Sequence, residues 1–81
     1  MPDTKYNDLT AEERYEERVM LQVRLAEGLP VRLLEEAGRG AAARAAADGL
    51  LEPTELGAGR AVLTRRGRLL ADAVVRALLG S

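Results

Sequence analysis

Neither cysteine nor histidine occurs anywhere in this sequence, and for 81 residues that is the tightest constraint on the fold. A domain this small buries only about 60% of its unfolded surface, and many such domains add a disulfide or a structural metal. Both devices are missing, so apolar packing has to hold the chain together. The same absence removes a thiol nucleophile, an imidazole base, a zinc finger, cysteine ligation of an iron–sulfur cluster and histidine ligation of haem. The apolar set is narrow as well: 28 of its 38 members are Ala or Leu, and two Tyr are the only aromatics. One compact, mainly helical domain suits such a chain.

Residues 1–9 are polar and without period, and read as a leader or the end of a linker, leaving residues 10–80 as the domain. Thr10-Ala11-Glu12-Glu13 matches a capping box, in which Thr10 and Glu13 satisfy each other's backbone N–H. The helix it opens is expected to reach Glu27 and to stop at Gly28. Tyr15, Val19, Val23 and Ala26 fall within about 80° on its wheel, with Met20 some 60° beyond. Leu21 and Leu25 lie on the far side, and Glu17 and Arg24 sit between the two apolar flanks. Leu29-Pro30-Val31 reads as an extended link, and Val31–Ala37 as a short helix closed by Gly38. A turn at Gly38-Arg39-Gly40 is then expected before a second short helix, Ala41–Asp48, which Gly49 caps.

Beyond Gly49 the pattern changes. Leu50-Leu51-Glu52 and Ala61-Val62-Leu63 are β-capable runs around a Gly-bearing loop, a hairpin pattern. Thr64 is placed to N-cap a last helix whose stripe is Leu69, Leu70, Ala73, Val74, Ala77 and Leu78. Long helix, short helix, short helix, hairpin and helix is the order of a winged helix with an added C-terminal helix. The expected class is therefore mainly α with a small β-hairpin, helix-turn-helix plus wing.

Charge adds a direction. Residues 1–52 carry 7 basic and 11 acidic groups, and residues 53–81 carry 5 basic and 2 acidic, so the halves are −4 and +3. Arg60, Arg65, Arg66 and Arg68 cluster around the wing, a candidate docking patch for an anionic partner. The overall charge of −1 argues against non-specific nucleic-acid binding. The Ala41–Asp48 helix offers only Arg44 for reading base edges, so DNA is not the expected partner. No run approaches the ~20 apolar residues of a membrane span, and the expected compartment is the cytoplasm. The adjacent carboxylates Glu16-Glu17 diverge by about 100° on a helix, and Ser81 has no base beside it, so no catalytic residue is assigned.

Two stretches resemble a known family. Glu17-Arg18-Val19-Met20-Leu21-Gln22-Val23-Arg24-Leu25-Ala26-Glu27-Gly28 is similar to the E-x-x-M-L-x-L-R-L-x-E-G run opening the C-terminal domain of oxygen-independent coproporphyrinogen III oxidase-like proteins. Gly49-Leu50-Leu51-Glu52 with Val62-Leu63-Thr64-Arg65-Arg66-Gly67-Arg68-Leu69-Leu70-Ala71-Asp72 resembles the family's G-L-L … L-T-x-x-G-x-L-L-x-D. The resemblance covers residues 10–80, with Glu17, Arg24, Gly28, Thr64 and Gly67 on recurrent positions and Gln22 where glycine is common. It implies an accessory domain whose partner is a radical S-adenosylmethionine barrel carrying a [4Fe–4S] cluster. The parent would be either a coproporphyrinogen oxidase or a haem chaperone, with tetrapyrrole or haem as ligand and no cofactor ligated by this chain. Glu17, Arg24, Arg60, Arg65, Arg66 and Arg68 are then the candidates to face the barrel or the ligand. Thr10, Glu13, Gly28, Gly49, Thr64 and Gly67 are the candidate structural residues. The competing expectation is a free-standing winged-helix DNA-binding module.

Overall fold

A computed structural model describes residues 10–80; the expected leader, 1–9, lies outside the described residues. Helix α1 (Ala11–Gln22) begins as its sequence dictates. The Thr10 hydroxyl accepts the Glu13 N–H at 3.1 Å and the Glu13 carboxylate accepts the Thr10 N–H at 2.9 Å, closing the capping box. The helix ends one turn earlier than its periodicity predicts. Bonds from Leu25 N–H to Gln22 C=O and from Gly28 N–H to Leu25 C=O tighten the exit into i→i+3 turns. Gly28 still marks the corner, at φ +76°, and a side chain there would place Cβ 2.5 Å from the Ala61 carbonyl oxygen.

That close approach exists because the next two residues are a strand rather than a link. Strand β1 (Leu29–Pro30) pairs antiparallel with β2 (Arg60–Ala61), Leu29 opposite Ala61 and Pro30 opposite Arg60. Leu51 bridges to Leu63 in the same antiparallel sense, with Glu52 N–H bonded to Val62 C=O and Thr64 N–H to Leu50 C=O. The two arms of the expected hairpin therefore meet, although the two-stranded sheet proper is made with β1. Between them Pro53–Gly57 is helical (α3) rather than an open loop, with proline in its first turn, where no N–H is needed.

Two further expectations are corrected. Val31–Ala37 is not a helix: one 3-10 turn (Val31–Leu33) is followed by extended Leu34 and Glu35. Helix α2 (Glu36–Ala47) then runs unbroken through Gly38, Arg39 and Gly40, so the expected helix-turn-helix corner is helix interior. Gly38 serves packing instead of turning, because a Cβ there would lie 2.5 Å from the Leu78 carbonyl oxygen. The C-terminal helix is divided at Leu70 (φ −114°, ψ 29°) into α4 (Arg65–Leu69) and α5 (Ala71–Leu78). The break shifts the register. Ala71, Val74, Val75 and Leu78 face the core, whereas Leu69, Leu70, Ala73 and Ala77 of the expected stripe do not.

The outcome is a mainly helical domain with a small two-stranded antiparallel sheet. Its core joins Val19 and Val23 of α1's end, Leu29, Leu34, Leu51 and Leu63 of the extended segments, and Val74 and Leu78 of α5. Ala41, Ala42 and Ala45 let α2 lie close to α5, which explains why an alanine-rich helix is the right material there.

Candidate functional site

The recurrent glycines and threonine of the second motif build one lock. Thr64 Oγ1 accepts the Gly67 N–H at 2.9 Å, capping α4, and donates to the Gly49 carbonyl at 2.6 Å. Gly49 adopts φ +79° to end the α2 turn. Gly67 has no room for a side chain, since a Cβ would collide with the Leu50 carbonyl. The spacing G-L-L … L-T-x-x-G is therefore a closure of α4 on the Gly49–Leu51 segment.

The first motif is used differently on its two flanks. Val19 and Val23 are fully buried, and Tyr15 is half-buried, its hydroxyl accepting the Glu35 N–H at 3.1 Å just ahead of α2. Met20 was expected on the edge of this core side, yet it is 43% exposed, and Leu21 and Leu25 are exposed as well. Arg24, on the exit turn of α1, donates from Nη1 to the Met20 carbonyl at 2.7 Å and from Nη2 to Asp72 Oδ1 at 2.9 Å. One guanidinium thus satisfies an orphan carbonyl at the end of α1 and ties that end to the start of α5.

The sequence candidates do not assemble into one site. Glu17 is exposed on α1 in a shallow depression with Arg14, Arg18, Leu21 and Gln22, and Arg24 pairs with Asp72 instead. Arg60 is paired with Glu55 of α3, so it is no free cation. Arg65 and Arg66 are exposed on α4. Arg68 alone of the Arg cluster joins Arg24, around a hollow completed by Leu69, Leu70, Asp72 and Arg76. Sequence reasoning missed Asp72 and Arg76. The available signal was their i, i+4 spacing, together with the aspartate that ends the second motif. Gln22 contributes an anomaly: its Oε1 is buried and receives no hydrogen bond within the described residues.

Among the described residues no helix is long and apolar enough to cross a membrane, and no three His, Cys, Asp or Glu side chains gather to hold a metal ion. An iron–sulfur cluster needs thiolates, and this chain has none to offer. Haem iron finds no imidazole or thiolate in this chain either; among the described residues the Tyr15 hydroxyl accepts from the Glu35 N–H, and Met20 is partly exposed.

A small α-rich domain emerges, in which Thr64, Gly49 and Gly67 close α4 on the end of α2 and five large apolar side chains stay exposed at the end of α1 and at the α4–α5 joint. Residues 9–70 match the HemN C-terminal domain, and the chain belongs to that family. It is 49% identical over 80 residues to the heme chaperone HemW of Mycobacterium tuberculosis strain CDC 1551 / Oshkosh, and equally to that of strain ATCC 25618 / H37Rv. In each case the match covers 99% of this chain and 20% of the relative, so the chain spans about a fifth of the length of the curated relatives it matches. No solved structure matches it.

Proposed function

We propose that this chain acts as the C-terminal accessory domain of a radical S-adenosylmethionine protein of haem biosynthesis or haem delivery. In this reading it packs on a catalytic barrel and helps enclose the tetrapyrrole. The observation that carries it is the near-complete coverage of this chain at 49% identity by a fifth of a heme chaperone. The cluster and S-adenosylmethionine belong to the parent's other domain, because no cysteine is available here. Any iron ligation is likewise assigned to that domain, and what this chain has to offer a propionate-bearing ligand is guanidinium groups, Arg65, Arg66 and Arg68 on α4 among them.

In this reading the domain begins at residue 10, with 1–9 as a leader or the end of a linker, and the layout is a winged-helix variant. Three extended segments in the order 29–30, 60–63, 51 support the latter, with helical α3 in place of an open wing. Nuclear Overhauser contacts between Leu29 and Ala61 and between Leu51 and Leu63 test that layout; their absence would remove it. The DNA-binding alternative gains nothing from α2, which buries Ala41, Ala42 and Ala45 and shows Arg39 and Arg44 as its outward cations.

The test is haem retention, followed by absorbance, in the Mycobacterium tuberculosis relative. Replacing its matching fifth by this chain should preserve retention, and deleting that fifth should lose it. Charge reversal at Arg65 and Arg66 should weaken it. Equal retention after deletion would refute an enclosing role. Duplex DNA binding that survives physiological salt would favour the alternative.

A further inference from the structure

The large hydrophobic side chains that the described residues leave exposed number five, and they lie on two short stretches. Met20, Leu21 and Leu25 surround the end of α1, and Leu69 and Leu70 form the joint between α4 and α5. Arg24 brings the two stretches side by side. Its backbone lies between Met20 and Leu25, and its guanidinium reaches Asp72 in the hollow that Leu69 and Leu70 line. Single exposed leucines are ordinary on a monomer, but five large apolar side chains on two stretches tied together by one ion pair mark a candidate interaction surface, with Leu21 at its edge beside Glu17. Leu69, at 81% exposed, has almost no cover of its own.

Two observations identify the occupant. All five residues fall within the stretch 9–70 that matches the family, and the 80-residue match to the relatives covers only 20% of their length, so most of such a protein lies outside it. On the α4–α5 side the hollow carries Arg68 and Arg76 in addition to the Arg24–Asp72 pair, while Glu17 stands beside Leu21 on the α1 side. We propose that this face seats the remainder of the parent polypeptide. It would take an apolar ridge flanked by carboxylates, with Met20, Leu25 and Leu69 as the buried centre and the arginines as rim. This assigns docking to the α1 end and the α4–α5 joint, away from the wing, where Arg60 is already paired with Glu55. The inference rests on the accessory-domain reading above.

Hydroxyl-radical footprinting compares this chain alone with the chimera that carries it in place of the matching fifth of the Mycobacterium tuberculosis relative. Met20 should pass from 43% exposed to the burial of an interface centre, a fall of roughly fivefold in oxidation rate. Leu25 and Leu69 should follow, and Tyr15 should keep its rate. Protection of Tyr15 and Leu33 in place of Met20 would overturn this face and leave the accessory-domain reading standing. Protection of no residue would sink both. Protection of Met20 that rises with the concentration of the isolated chain would make the occupant a second copy, against the proposal. The double variant Leu25→Glu, Leu69→Glu should restore Met20 oxidation in the chimera without changing the melting temperature of the isolated chain. Continued protection would refute the assignment.

Discussion

Replacing Gly40 by alanine should stabilise this domain, whereas replacing Gly38, two residues earlier, should destabilise it. Both glycines lie within α2 and neither has a positive φ, so helix propensity favours alanine at each by up to about 1 kcal/mol. Their surroundings differ. A Cβ on Gly40 would have Arg44 Nη1 as its nearest neighbour, at 3.6 Å, an ordinary contact with a movable group. On Gly38 it would lie 2.5 Å from the Leu78 carbonyl oxygen and 3.3 Å from Leu34 Cβ, and relief requires α2 and α5 to separate. Forcing an extra methyl into a packed contact costs roughly 1–3 kcal/mol, and a Cβ 2.5 Å from a backbone oxygen belongs to the upper part of that range, roughly 2–3 kcal/mol, above the propensity gain. The expected net effects are about 1 kcal/mol of stabilisation for Gly40→Ala and about 1–2 kcal/mol of destabilisation for Gly38→Ala. In a domain of this size 1 kcal/mol moves Tm by about 4–8 °C, so the two variants should melt on opposite sides of the parent by circular dichroism. A lowered Tm for Gly40→Ala would mean that α2 does not run through residue 40. Equal stabilisation by both would mean that the α2–α5 approach at Leu78 is absent.

Thr64→Ala removes both the cap on Gly67 and the bond to the Gly49 carbonyl, and should cost about 1–2 kcal/mol in urea unfolding; an unchanged midpoint would deny the lock. Val75→Ala, on the buried side of α5, should cost at least about 1 kcal/mol, whereas Leu69→Ala should stay within about 0.5 kcal/mol of the parent. The reverse order would restore the uninterrupted C-terminal helix. A double-mutant cycle on Arg24 and Asp72 in the isolated domain should give a coupling under about 1 kcal/mol, because the two side chains are 39% and 85% exposed. The coupling should shrink further in salt, and one that persisted at high salt would show the pair shielded from solvent.

The sequence by itself determined the features that depend on neighbours along the chain. The Thr10–Glu13 box, the positive-φ corners at Gly28 and Gly49, and Thr64 as a cap all follow from groups within a few residues of one another. The family motifs were legible for the same reason, and the lack of Cys and His is read directly from the sequence. Tertiary structure decided what lay across the chain. Gly38 has the composition of a turn residue, but the Leu78 carbonyl 40 positions later makes it a packing residue inside a helix. Leu29-Pro30 is too short to declare a strand until Arg60-Ala61 supplies its partner. Leu69 and Leu70 fit a helical stripe that a break at Leu70 turns outward. Arg24 could be placed on a face from spacing alone, but its partner, Asp72, stands 48 residues away, where only the packing of α1 against α5 brings the two charges together.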